Sequence, residues 1–167
     1  MKACSFTGHR QIKKEHMKEL PELVSRAISY AYNNGCRRFI SGGALGFDTV
    51  AAREVIKFRM SHPDASLILI LPCIAQDAKW KPQQKRLYEY LLSEANEAVY
   101  VSEEYTDTCM KERNLRLAEE SDMLIAYVGR ANSGAAQTAR MARELGREIY
   151  NLYPTLERQE SSLHALR

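Results

Sequence analysis

The 167-residue chain has no apolar run approaching the ~18 residues a membrane-crossing helix needs, and its four cysteines contain no Cys-x-x-Cys pair. The first absence argues against a membrane span. The second argues against a structural zinc site, since Cys4, Cys36, Cys73 and Cys109 are scattered, with no histidine beside them at metal-ligand spacing. No metal is expected. The cysteines read as reduced thiols of a cytoplasmic protein. Cys73 and Cys109 fall in predicted loops, where a reactive thiol and a small buried hydrophobe are the competing readings. The N-terminal MKACSFTGHR turns polar too soon for the apolar core of a secretory signal, so export is not expected. No linker rich in Pro, Gly or Ser, no repeat and no low-complexity run divides the sequence. One domain is therefore expected over 1–153, followed by a polar tail over 154–167 in which Leu156, Leu163 and Leu166 could pack as a short helix. Charge is nearly balanced, with 24 basic against 21 acidic side chains, an excess of +3 that permits nucleic-acid binding without arguing for it.

What is present is a regular alternation of short apolar runs and 3.6-residue patterns. Strands are predicted at Lys2 to Thr7, Arg37 to Ser41, Ser66 to Leu71, Ala98 to Val101, Met123 to Val128 and Glu148 to Leu152. Helices are predicted around Leu20 to Ala31, over Thr49 to Arg59, Gln83 to Ala95, Lys111 to Glu119 and Gly134 to Leu145. Ser66 to Leu71 is almost wholly apolar, as a parallel strand covered on both faces would be. This order predicts a parallel α/β sandwich.

The segment SGGALGFD, Ser41 to Asp48, lies between a strand and a helix. Glycines there permit positive φ and close backbone approach, and the first helical N–H groups are unpaired, so an anion can be held without a lysine. The competing reading is a tight connection whose glycines only relieve crowding. Function in such folds sits at the C-terminal ends of the strands. The first strand delivers Thr7, Gly8, His9 and Arg10 there; the second delivers Ser41, Gly42, Gly43, Gly46 and Asp48; the third delivers Pro72, Gln76 and Trp80. The fifth delivers Gly129, Arg130, Asn132, Ser133 and Gly134, with Thr138 just beyond. Two helix N-termini converging with Thr7, Arg10 and Ser133 have the composition of a nucleotide cradle.

TGHR, SGGALGFD, the LPC segment followed by Trp80, the dipeptide Arg113 and Asn114, and SGAAQTARMARELGREI occur in an order and spacing that resembles the YpsA-like family of the SLOG superfamily. The resemblance covers about Cys4 to Leu152. It implies a Rossmann-like three-layer sandwich with a mainly parallel sheet of about six strands. It also implies a nucleotide-like ligand of the ADP-ribose or dinucleotide type across the glycine loops, with no cofactor required. Carried over by position, Gly42, Gly43 and Gly46 form the first loop and Ser133, Gly134 and Thr138 the second. The glycine segments are also similar to the Rossmann-like domain of DprA, which binds single-stranded DNA, so nucleic acid is a possible, less favoured partner. Exposed helices in this superfamily often pair, which makes a homodimer possible. The second loop departs from the YpsA-like pattern, with Ala135 and Ala136 following Gly134.

Hydrolysis of a nucleotide, at its N-glycosidic or a phosphate bond, is the alternative activity; the glycosidic reaction needs a carboxylate to stabilise charge or activate water. LOG-type hydrolases of the same superfamily carry a glutamate shortly after their second glycine loop. Gln137 and Thr138 stand in that region here, and Glu144 comes two turns too late. Asp48 and His9 are the remaining catalytic candidates. Asp48 also suits a helix N-terminus or ribose hydroxyls, and His9 also suits a hydrogen bond within its loop. Arg10 suits a phosphate or base as well as solvent. Trp80, the single tryptophan, suits stacking on a base or covering the core edge. Arg113 reads either as reaching over the strand ends or as lying on a solvated face, and Arg140, Arg143 and Arg147 read as a solvated face paired with Glu144.

Overall fold

In a computed structural model, residues 2–165 are described, with side chains to Ser161. Six strands run in chain order as Lys2–Gly8 (β1), Cys36–Ser41 (β2), Ser66–Leu71 (β3), Glu97–Tyr100 (β4), Met123–Tyr127 (β5) and Glu148–Asn151 (β6). They form one sheet in the order β4-β3-β2-β1-β5-β6, and every neighbouring pair is parallel. The chain winds outward from β1 in one direction and resumes on its other side with β5. Strand order therefore reverses between β1 and β5, and such a switch point opens a crevice at the carboxyl ends of the two strands.

Period-two alternation explains the layers. In β3, Leu67, Leu69 and Leu71 join one apolar cluster, whereas Ile68 and Ile70 join another on the opposite face. The first face packs against Leu20–Asn33 (α1), Phe47–Arg59 (α2) and Pro82–Glu94 (α3). The second packs against Cys109–Glu119 (α4) and Gly134–Glu144 (α5). Pro21 occupies the first turn of α1, where its missing N–H has no partner to lose. The inner face of that helix is Leu20, Val24, Ile28 and Ala31; Ala27, expected there, is only partly buried.

The last element is Tyr153–Ala165 (α6), a helix over most of the segment read as a polar tail that could hold a short one. Its Leu156 is buried in the first cluster, and Tyr153 packs against the same cluster. Of the other two tail leucines, the side chain of Leu163 and the whole of Leu166 lie outside the described residues. Among the described residues no helix is long and apolar enough to cross a membrane.

Candidate functional site

The crevice at the switch point is a cavity of about 510 Å³ that draws residues from four elements. The end of β1 contributes Thr7 to Gln11, the loop after β2 contributes Ala44 and Asp48, α4 contributes Met110, Arg113 and Asn114, and the loop after β5 contributes Arg130 and Asn132 to Ala135.

The first glycine loop is turned largely inward. Gly43 has φ +66°, and a Cβ there would lie 2.5 Å from Leu71 Cδ2, so this glycine faces the core rather than the crevice. Gly46 has φ +82° and packs against the backbone carbonyls of His9 and Arg10, with Phe47 N–H donating to His9 O at 3.1 Å. Ser41 is wholly buried; its hydroxyl accepts from Gly43 N–H at 3.2 Å and donates to Asp48 O at 3.0 Å. A Cβ at Gly42 would stand 2.7 Å from Arg113 Nη1 and 2.8 Å from Asp48 Oδ2. The space that glycine opens is thus filled by the chain's own charged side chains. Ser41, Gly42, Gly43 and Gly46, expected to meet a ligand, do not line the crevice; they hold the turn in which Asp48 is set.

Arg113 enters from α4 and is 4% exposed. Its Nη1 donates to Gly42 O, and its Nε donates to Asn114 Oδ1 at 2.8 Å. Burial pulls its pKa down, partly offset by Asp48, but a guanidinium stays protonated. Asp48 Oδ2 accepts from Ala44 N–H at 3.3 Å. Burial raises its pKa to about 6, against the opposing pull of Arg113, the Ala44 N–H and Arg10. The crevice therefore contains a carboxyl group that titrates close to neutrality beside a permanent cation.

His9 is 7% exposed, and its Nε2 accepts from Gly129 N–H at 2.8 Å. That bond places the ring proton on Nδ1 and requires a neutral imidazole. Burial first, and Arg130 second, lower its pKa. His9 thereby ties the loop after β5 to β1. Ser133 caps α5, with Oγ accepting from Ala136 N–H at 3.1 Å. Gly134 and Ala135 at the start of α5 line the crevice, so the positive end of that helix faces it. A Cβ at Gly134 would meet only Asn114 Nδ2, at 3.6 Å. Thr138 is wholly buried and donates to Gly134 O at 3.0 Å, which removes it from the crevice.

Pro72 and Trp80 line a second cavity of about 570 Å³, together with Gln76, Lys79 and Tyr105. Arg10 and Met110 border both cavities. Trp80 crosses Tyr88 edge to face at 5.2 Å and packs against the core while presenting a surface to this second space. Gln11, Ala44 and Met110 were not anticipated as lining residues. Met110 stands one turn before Arg113 on the same helix face, a spacing that could have indicated it. Cys73 and Cys109 are both buried, and burial raises the Cys73 thiol. Among the described residues, none of Arg140, Arg143 and Arg147, the last of which lies beyond α5, forms an ion pair with Glu144. Arg140 donates to Ala131 O, and Arg147 donates to Ala118 O and Glu119 O at the end of α4.

An all-parallel sheet and a crevice at its switch point, lined by three arginines, a helix N-terminus and one carboxyl, define a Rossmann-like α/β protein with an anion-suited site. Within that class the chain belongs to the YspA SLOG family, whose profile matches residues 6–153. It is 27% identical over 158 residues to the uncharacterized SPbeta prophage-derived protein YoqJ of Bacillus subtilis (strain 168), covering 86% of this chain and 88% of that one. Among solved structures, DNA processing protein A (DprA) of Streptococcus pneumoniae superposes with a TM-score of 0.63 at 20% identity, over 89% of this chain and 49% of that one. DNA processing protein A of Helicobacter pylori, described for its single-stranded DNA binding mode, gives a TM-score of 0.63 at 20% identity over 89% of this chain and 63% of that one. The chain thus spans about half of the first DprA and under two thirds of the second, and these likenesses concern the fold.

Proposed function

We propose that the chain is a binding module for a small nucleotide of the ADP-ribose or NAD class. The observation that carries this reading is the convergence of Arg10, Arg113, Arg130 and the α5 N-terminus on one crevice at the strand-order switch. Arginine forks and unpaired helix amides are the groups that recognise phosphate oxygens. The neighbouring cavity, joined through Arg10 and Met110 and walled by Trp80 and Tyr105, suits a base stacked on an aromatic ring. Phosphates and ribose would occupy the first space and the base the second.

Binding is favoured over hydrolysis by the carboxylate inventory. Among the described residues, Asp48 is the sole acidic side chain lining the crevice, and it is engaged with the Ala44 N–H and beside Arg113. Glycosidic cleavage ordinarily uses a pair of carboxyl groups. His9, the other candidate, has its Nε2 engaged by Gly129. A second reading, binding of single-stranded nucleic acid, is favoured by the aromatic second cavity and Lys79 beside it.

Isothermal titration with ADP-ribose, NAD, AMP and a short oligonucleotide separates these readings. The nucleotide module requires saturable heat with at least one mononucleotide or dinucleotide, lost in Arg113→Met. Silence at millimolar nucleotide with salt-sensitive oligonucleotide binding would instead establish the nucleic-acid reading. Product formed from bound nucleotide, and abolished in Asp48→Asn, would make the chain a hydrolase.

A further inference from the structure

Outside both cavities, the short 3-10 turn Lys14–His16 buries its last imidazole completely. His16 Nδ1 lies 2.7 Å from the Tyr127 hydroxyl, whereas Nε2, equally buried, has no hydrogen-bond partner. A buried polar nitrogen of this kind calls for an explanation. Nε2 faces two carboxylates of α6, standing 3.2 Å from Glu157 Oε1 and 3.8 Å from Glu160 Oε2. All three atoms lie within 4.8 Å of one another. Glu157 and Glu160 are three residues apart, which puts them on one helix face. The Lys13 ammonium lies 2.9 and 3.1 Å from the same two carboxylate oxygens, so the position already draws a positive charge.

We propose that His16, Glu157 and Glu160 are the protein ligands of a divalent transition-metal site of the zinc class, for which Lys13 is the competing cation. One imidazole nitrogen and two carboxylate oxygens form a donor set that zinc accepts. With ligands at about 2.0–2.1 Å, tetrahedral donors sit roughly 3.4 Å apart. The His16 to Glu157 spacing already meets this, and Glu160 needs a small approach. Orientation is in place too. When Nδ1–H donates to Tyr127 Oη, as ligating histidines donate their second nitrogen to a fixed acceptor, Nε2 presents a lone pair toward two anions. Two carboxylates and a neutral imidazole lone pair facing one another are reconciled by a cation between them. Three protein ligands leave a fourth position for water.

Such a metal would fasten α6 to the turn that follows β1. It would do so beside Tyr153, whose ring lies 5.0 Å from both His16 and Tyr127 and 6.4 Å from His9.

The test uses the full chain, stripped of metal with chelator and titrated with zinc chloride by calorimetry, then with Co²⁺ in visible absorption. One equivalent of zinc is expected, together with a rise in Tm and the d–d bands of a low-coordinate N/O cobalt site. Glu157→Gln and Glu160→Gln, both isosteric, should each weaken binding at least about tenfold while keeping the near-UV dichroism of the folded chain. Lys13→Met, which removes the competitor, should tighten it. Absence of stoichiometric zinc binding by the wild-type chain overturns the proposal. So does binding that survives unchanged in both glutamine variants, because the metal would then sit elsewhere.

Discussion

The loop after β2 and the loop after β5 both set glycine at the junction of a strand and a helix, yet they offer a ligand opposite things. In the first, Gly42 and Gly43 are buried, and the positions a side chain would take are occupied by Leu71, Arg113 and Asp48. In the second, residues 129–132 and Gly134 are exposed, and Gly134 has room for a methyl group. A glycine-rich turn therefore carries two distinct meanings, close approach of the protein to itself or close approach to a ligand. The neighbours of the absent Cβ decide between them. The first loop contributes to the site indirectly, by holding Asp48 and admitting Arg113.

The sharpest way to break this contrast is to add the same methyl to each loop. Gly46→Ala forces a side chain onto the carbonyls of His9 and Arg10 at φ +82°. It should cost about 4 kcal/mol in urea denaturation, enough to abolish cooperative folding in a marginal domain. Gly134→Ala should change stability by less than about 1 kcal/mol, because the first helical turn tolerates alanine and only Asn114 is near. Its effect should appear in ligand titration, where the new methyl shields the α5 amides. Equal stability losses in the two variants would erase the distinction.

Next in size is Arg113→Met, which removes the guanidinium that reaches into the first loop. It leaves the Gly42 carbonyl without its donor and Asp48 without its nearest countercharge. The expected loss is about 3 kcal/mol at neutral pH, measured by denaturant titration. Arg113→Lys should recover little of it, since an ammonium cannot serve Gly42 and Asn114 at once. A smaller loss at pH 5 than at pH 7 is expected of the Met variant, because protonated Asp48 no longer needs a counterion.

Asp48 itself provides the third test. Its folded pKa of about 6 lies above the ordinary carboxylate value of about 3.9, so the folded state holds the proton more tightly than the unfolded state. The sign follows: the favourable contribution is full below about pH 3.9, declines as pH rises through 6, and is gone above it. In that window Asp48 contributes a slope approaching about 1.4 kcal/mol per pH unit, which Asp48→Asn should remove. His9 works in the opposite sense over a neighbouring range. Its lowered pKa withholds the proton in the fold, so stability falls as the medium is acidified below the ordinary histidine value. Stability profiles of Asp48→Asn and His9→Gln taken from pH 4 to 8 should therefore depart from the wild type in opposite directions. Parallel profiles would contradict the assigned burial of one of them.

Local patterns in the chain were legible from sequence, and contacts between distant elements were not. The sheet was legible because alternation is local: SLILIL announces a strand covered on both faces, and the TGHR turn marks where β1 ends. The address of the crevice followed from topology, and Thr7, His9, Arg10, Asp48, Arg113, Asn114, Ser133 and Gly134 do line it. What the sequence could not reveal is which way a glycine faces. Gly43 is turned by Leu71 and Gly46 by Arg10, residues whose positions depend on other strands and loops. Arg147 escaped for the same reason, since its partners are the carbonyls ending another helix. Leu156, named as a packing residue of a short tail helix, is buried, but how far that helix extends was not legible because the tail around it is polar.

A modest effect is expected at Ser133, and it bears on whether the second loop is a cradle or simply a well-capped helix. Ser133 Oγ accepts from Ala136 N–H and donates to Arg130 O at 3.2 Å, joining the helix cap to the loop that carries an arginine of the crevice. Ser133→Ala should cost about 1 kcal/mol, and Ser133→Gly less, in thermal unfolding. If the loop only caps α5, nucleotide affinity should be insensitive to either change. If the start of α5 and Arg130 act together on a phosphate, both variants should weaken binding several-fold, and the loss should not track the stability loss. Ser133→Thr retains the hydroxyl and should restore both properties, which separates a missing cap from a disturbed backbone.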